Sequence, residues 1–295
     1  MGFARLALFA VLGIVDLAFV VAWARAVKRT NRTSERPDAG DLATGLLTDF
    51  LDALGIGSFA PTTAIFKFRG KPADELIPGT LNIGHNVAAF TETVLFVTAI
   101  AVDPGLLTAM IASAVAGAWI GAGIVSHLPR RAIQVWMGTA LLIAAAFFAM
   151  SNLSLFPAGG TAMALHGWRF EVAVGANFIY GALMSVGIGL YAPCMITLAL
   201  LGLNPLGAFP IMMGACGLVQ PVASFRFFQT GRFSHGTSLG IALGGFFGVL
   251  VAVYVVRSLP LHALRWLVAL VVTYAAIAML RSARASRAVP AAATR

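Results

Sequence analysis

The chain has 295 residues, 59% of them hydrophobic and only 11% charged, with a mean hydropathy of +0.90. Soluble domains carry roughly 25% charged residues, so the composition excludes an ordinary soluble domain and points to an all-α polytopic membrane protein. The net charge of +9 lies in short segments between apolar runs, where it sets topology rather than marking a nucleic-acid partner.

The first apolar run, 6–25, contains Asp16 and is followed by Arg25, Lys28, Arg29, Arg32 and Arg36. A signal peptide carries its positive charge ahead of the apolar stretch. This run therefore reads as a retained helix, with the basic linker up to residue 41 held in the cytoplasm. Apolar runs follow at 42–68, 76–99, 104–126 and 131–150. A connection at 151–171 leads to runs at 172–201, 206–228, 236–256 and 262–280. The tail, 282–295, is expected to fray.

Two runs carry nearly the same phrase, GIGSFAP at 55–61 and GIGLYAP at 187–193, 132 positions apart. Gly70 and Pro78 recur as Gly202 and Pro210 at the same offset, and SHLPRRAIQVW (126–136) is echoed by RSLPLHALRWL (257–267). The chain thus reads as two copies of one unit, 42–150 and 172–281, preceded by an extra helix and linker at 1–41. Internal duplication is common in secondary transporters.

The charges bear on orientation. If every run crosses the membrane there are nine spans, with twelve Lys/Arg inside and eight outside. If each GIG-containing run instead enters, turns and leaves by the same side, there are seven spans. Sixteen Lys/Arg then lie inside, and only Arg5, Arg169, Arg257 and Arg265 lie outside. The positive-inside rule favours the second arrangement: seven full transmembrane helices plus two re-entrant hairpins. Three full spans per copy make the two copies inverted.

A hairpin tip within a bilayer is tolerated only where it is buried in protein or lines a cavity. Glycine permits the turn and close approach, and proline starts the returning helix at no cost in hydrogen bonds. The N–H groups of that helix start, near Thr62, Thr63, Cys194 and Met195, would form an anion site without lysine or arginine. Gly57, Ser58, Gly189 and Tyr191 belong to the two tips, expected to meet at the midplane. Both glycines are expected to resist a β-carbon. The blander reading is a packing break in a long helix, since Gly and Pro are frequent in transmembrane helices; the duplication and the charge count favour a site.

Polar residues inside the spans are costly. Asn82, His85 and Asn86 can share one helix face, and Gln220 with Ser224 sits at similar depth in the second copy; the two helices are expected to face one another across a substrate. His85 could bind an oxyanion or carry a proton, or serve as interhelical glue. Glu92, Asp49 and Asp52 are further proton-carrier candidates. Glu92 could instead pair with Arg226, and the two aspartates could simply be solvated. Asp16 reads as a structural contact. Cys194 and Cys216 have neither metal-ligand nor disulfide spacing.

The duplicated turn-and-proline phrase, the small-residue helices that follow it (IPGTLNIGHNVAAF and FPIMMGACGLVQPVASF) and the Leu-Pro before each last helix resemble the TauE/SafE sulfite exporter family of anion permeases. Members typically have a longer glycine run at the turn and often Gly-Thr-Ser after it; here the turns are GIGSF and GIGLY, followed by PGTLN and PIMMG. The resemblance implies a multi-pass protein of the bacterial inner membrane that moves sulfite, small organosulfonates or related sulfur oxyanions outward. On the charge count its N-terminus is periplasmic and its C-terminus cytoplasmic. It implies no cofactor, metal or catalysis. An uptake permease or channel for another small anion is the alternative. An intramembrane hydrolase using Ser58 and His85 would need a nucleophile motif that the sequence lacks.

Overall fold

The computed structural model describes residues 3–32, 34–255 and 261–288. The chain is an all-α membrane protein. Six helices among the described residues are long and apolar enough to cross a bilayer: Leu6–Arg29, Pro104–Val125, Arg130–Asn152, Pro205–Thr230, His235–Tyr254 and Trp266–Ala285. In chain order the helices are α1 (Phe3–Arg29), α2 (Ala39–Ala53), α3 (Phe59–Arg69), α4 (Ile77–Gly84), α5 (Asn86–Ala99), α6 (Pro104–Val125), α7 (Arg130–Asn152), α8 (Trp168–Met184), α9 (Tyr191–Leu200), α10 (Pro205–Thr230), α11 (His235–Val255) and α12 (Leu261–Ala288). The run at 76–99 is two helices that meet at His85, and α12 extends into the expected tail, to Ala288. Arg257 and the Ser-Leu-Pro of the second echo lie outside the described residues, as does the chain beyond Ala288.

Each GIG phrase interrupts its run, as the sequence leads one to expect. Asp38 caps α2 in a reciprocal box with Asp41, and the helix ends before a turn in which Gly55 and Gly57 adopt φ of +79° and +93°. The chain then doubles back. Arg69, at the end of α3, bonds to Asp41 at 2.6 Å and to Asp38 at 2.7 Å, at the start of α2. In the second copy α8 and α9 fold back likewise, and Tyr180 meets Thr197 across the pair at 2.6 Å. Here Gly187 takes the left-handed conformation, at φ +102°, and Gly189 does not.

The two halves exchange partners. α2 of the first copy packs along α11 of the second, and α8 of the second packs along α6 of the first. Both contacts use a Gly-x-x-x-Gly pair against a glycine. A β-carbon on Gly117 or Gly121 of α6 would collide with the Phe178 and Ala182 carbonyls, and one on Gly181 with the Ala114 carbonyl. Gly244 and Gly248 of α11 stand equally close to Leu42 and Leu46, and Gly45 to Ile241. Small residues let backbones approach and gain dispersion contacts where lipid offers no hydrophobic driving force. The largest apolar cluster is centred on α10, which carries Pro210 and Pro221 and is buried along most of its length, and two smaller clusters lie beside α2.

Candidate functional site

The turns of the two GIG phrases come together. Gly57 and Ser58 of the first and Gly189 and Leu190 of the second line one small cavity of about 20 Å³, which Asp52, Tyr191 and Gln220 also line. A second void of about 40 Å³, also touching Gly57 and Gly189, extends towards Phe147 and Phe148 of α7. The first volume is that of about one water, so anything larger requires the tips to part.

The cavity is acidic. Asp49 and Asp52 lie one turn apart on α2, and Glu92 approaches from α5; all three are buried, Asp49 and Glu92 at 0% exposure. Asp52 accepts the Ser58 hydroxyl at 3.0 Å, and the Ser58 backbone N–H lies beside the same carboxylate. Asp49 lies 2.7 Å from His85 Nδ1, and His85 Nε2 lies 3.0 Å from the Thr62 hydroxyl. Glu92 accepts the Tyr191 hydroxyl at 3.1 Å, and Met213 Sδ stands 2.9 Å from the same hydroxyl. Several buried oxygens accept no hydrogen bond: Asp49 Oδ2, Glu92 Oε1 and Gln220 Oε1. Among the described residues, no lysine or arginine lines the cavity.

The residues singled out from the sequence therefore divide. Gly57, Ser58, Gly189, Tyr191 and Gln220 line the cavity. His85, Asp49 and Thr62 stand one contact behind it, and Glu92 reaches it through Tyr191. Thr63 bonds back to the Phe59 carbonyl of its own helix. Asn82 bonds to the Pro78 carbonyl and Ser224 to the Gln220 carbonyl, each within its helix. Asn86 turns away to Asp16 of α1 at 2.7 Å, which gives Asp16 the structural contact expected of it. Cys194 is fully buried without lining the cavity, whereas Cys216 lines it.

Two expectations change. Glu92 pairs with Tyr191 and not with Arg226, whose guanidinium lies 3.7 Å over the Trp119 ring. A β-carbon on Gly189 would meet no atom within 4 Å, and its backbone is ordinary, so this glycine is not required by the turn. Gly57 is, because its φ of +93° is strained for any residue with a side chain. The thioether and thiol wall of Met184, Met213 and Cys216 gives no sequence signal apart from general apolarity.

Comparison of the chain with protein-family models, with characterised proteins and with solved structures finds no match.

Proposed function

We propose that the chain is a secondary transporter for small sulfur oxyanions, sulfite or a small organosulfonate, with its substrate site between the two helix-pair tips. On this reading α4 and α5 together make a seventh span, the two pairs α2–α3 and α8–α9 are re-entrant hairpins of opposite orientation, and the protein sits in the bacterial inner membrane with a cytoplasmic C-terminus. The observation that carries the reading is that the two copies of the duplicated phrase meet and line the same small cavity. A packing break would have no reason to be written twice and then brought face to face.

The helix starts supply the binding chemistry. α9 begins beside the cavity with an apolar N-cap, Leu190, and no side-chain cap. Its first N–H groups carry the partial positive charge that suits an oxyanion. Gln220 adds a neutral amide. Dipoles in place of a full positive charge favour release as well as binding, which a transporter needs. The small volume fits one stage of an alternating-access cycle in which the tips separate.

The resemblance to sulfite exporters implies outward movement, and the carboxylates around the cavity make proton movement part of the same question. Counterflow of radiolabelled sulfite in proteoliposomes tests the reading. Unlabelled sulfite inside should draw labelled sulfite in transiently. Absence of counterflow for sulfite and for methanesulfonate would remove the function.

A further inference from the structure

We propose that Asp52 is a built-in stand-in for the substrate anion: its carboxylate holds the start of α3, and the anion takes that place when Asp52 accepts a proton, so that one proton travels with each anion. The inference rests on reading the cavity as the substrate site.

The two tips differ in one respect. At the first, Ser58 gives its hydroxyl to Asp52 at 3.0 Å and its N–H lies beside the same carboxylate, the surroundings in which a helix start receives an oxyanion. The second tip, residues 185–190, has no acid, and the N-cap of α9 is the apolar Leu190. The repeat thus presents one helix start with a carboxylate already on it and one without. Gln220, 1% exposed, lines the same cavity with an oxygen that accepts no hydrogen bond, an independent sign that the cavity is built to receive a donor as well as an oxyanion. The protonated carboxyl of Asp52 is such a donor.

Charge makes the exchange depend on a proton. Asp52 faces Asp49 on its own helix, Ser58 and Thr62 of α3, His85 at the α4–α5 junction, Glu92 of α5, Tyr191 of α9, and Cys216 and Gln220 of α10. The faces of α11 and α12 packed against α2 and α3 offer Gly245 beside Asp49 and an aliphatic surface of Val268, Val272 and Ala275. His85, the one basic group in this set, is engaged by Asp49. An anion entering beside ionised Asp52 would meet like charge in a poorly solvated site. When a proton adds to a carboxylate oxygen of Asp52, one negative charge is removed and the carboxyl becomes a poorer acceptor. Ser58 N–H and O–H are then free to bond the substrate oxygens. On release, the anion leaves, the proton returns to water on that side, and Asp52 closes on Ser58 again. Because proton and anion move in the same direction, an inward proton gradient favours uptake, and export runs against that gradient and so requires an outward anion gradient steeper than it.

The test uses the full-length protein in detergent with methanesulfonate, which keeps a single negative charge from mildly acidic to mildly basic pH. Wild-type affinity should tighten about tenfold for each unit of falling pH while Asp52 is ionised in the free protein. Asp52→Asn should bind with no pH dependence, and more tightly than wild type at the basic end. Because that variant could fail to fold, infrared difference spectra of the wild type supply a second readout: methanesulfonate should raise a protonated-carboxyl C=O band. A flat wild-type profile, a slope that survives in Asp52→Asn, or binding with no carboxyl band overturns the proton exchange and leaves the anion site standing. No binding of methanesulfonate or sulfite at any pH overturns the site itself and the inference with it.

Discussion

Arg69, the last residue of α3, holds Asp38, the cap of α2, with Nη2 2.7 Å from Oδ1, and so fastens the two ends of the first helix pair. Lys71 reaches the same carboxylate at 2.5 Å. The Lys71 ammonium foremost, opposed next by burial and helped by the Asp41 N–H and by Arg69, holds the Asp38 carboxyl well below the usual carboxylate range. A depressed carboxylate contributes stability that is fully present above its unfolded value, about 3.9, and is lost as pH falls through the lower folded value. Asp38→Asn should therefore lower the melting temperature near neutral pH and down to about pH 4, and the difference from wild type should shrink below that. Half of the Asp38 side chain is exposed, so the neutral-pH effect is modest, about 0.5–1 kcal/mol. A difference that grows on acidification would contradict the assignment.

The two glycines of the tips separate turn from site. Gly57→Val should destabilise the protein by about 1–3 kcal/mol, the scale of strain for a side chain held at positive φ. Gly189→Val meets no atom at its β-carbon and needs no strained backbone, so it should cost less stability than Gly57→Val, while its side chain occupies the cavity that Gly189 lines and abolishes sulfite binding. Calorimetric titration beside a thermal melt reads both. Wild-type affinity in folded Gly189→Val would place the substrate elsewhere.

The glycine seams make a sharper stability prediction. Gly117→Ala and Gly244→Ala each force a β-carbon into a backbone carbonyl of the facing helix. Each should cost at least about 1–3 kcal/mol, as overpacking does in a close-packed interior. Gly13→Ala in α1 has open space around it and should stabilise by roughly 0.5–1 kcal/mol through helix propensity alone. Equal melting temperatures for all three variants would show that the seams do not hold the halves together.

Orientation can be read by labelling. On the inverted-hairpin reading, Lys71 faces the cytoplasm and the connection near Leu203 faces the opposite side. Leu203 itself is fully buried, and its carbonyl accepts the Gly160 N–H at 3.1 Å, so the exposed neighbour Thr161 is the better reporter. In a background with Cys194 and Cys216 replaced, Lys71→Cys and Thr161→Cys should react with an impermeant thiol reagent from opposite faces of membrane vesicles. Reaction of both from the same face would refute the seven-span arrangement.

The helical class and the division into two helix pairs were legible because repetition and hydropathy are local properties of the sequence. The offset between Gly57 and Gly189 announces a shared structure, and the fold brings the two residues to one cavity. What Asp52 does was not legible. Its place one to two turns before the tip is compatible with solvation or with a site, and only the reversal of the chain brings Ser58 under it. The partner of Glu92 depends on the rotation of α5 and α9 about their axes, which a row of apolar residues with little amphipathic contrast does not specify. The Gly-x-x-x-Gly spacings are a sequence signal for close packing, but nothing in them names the helix each will meet.

That crossing of partners orders the protein's birth. The α6–α8 seam joins Gly117 to Phe178 and can close soon after both are made, whereas Gly45 of α2 must wait for Ile241 of α11, nearly 200 residues later. At roughly 5–20 residues per second that interval is on the order of ten to forty seconds. On the hairpin reading, the first helix pair, with its aspartates, sits throughout it in the membrane beside an unfilled seam. Nascent chains arrested before and after residue 248 should thus differ sharply in protease protection of α2, and a chaperone or insertase that shelters polar half-spans has its longest task at this stage of synthesis.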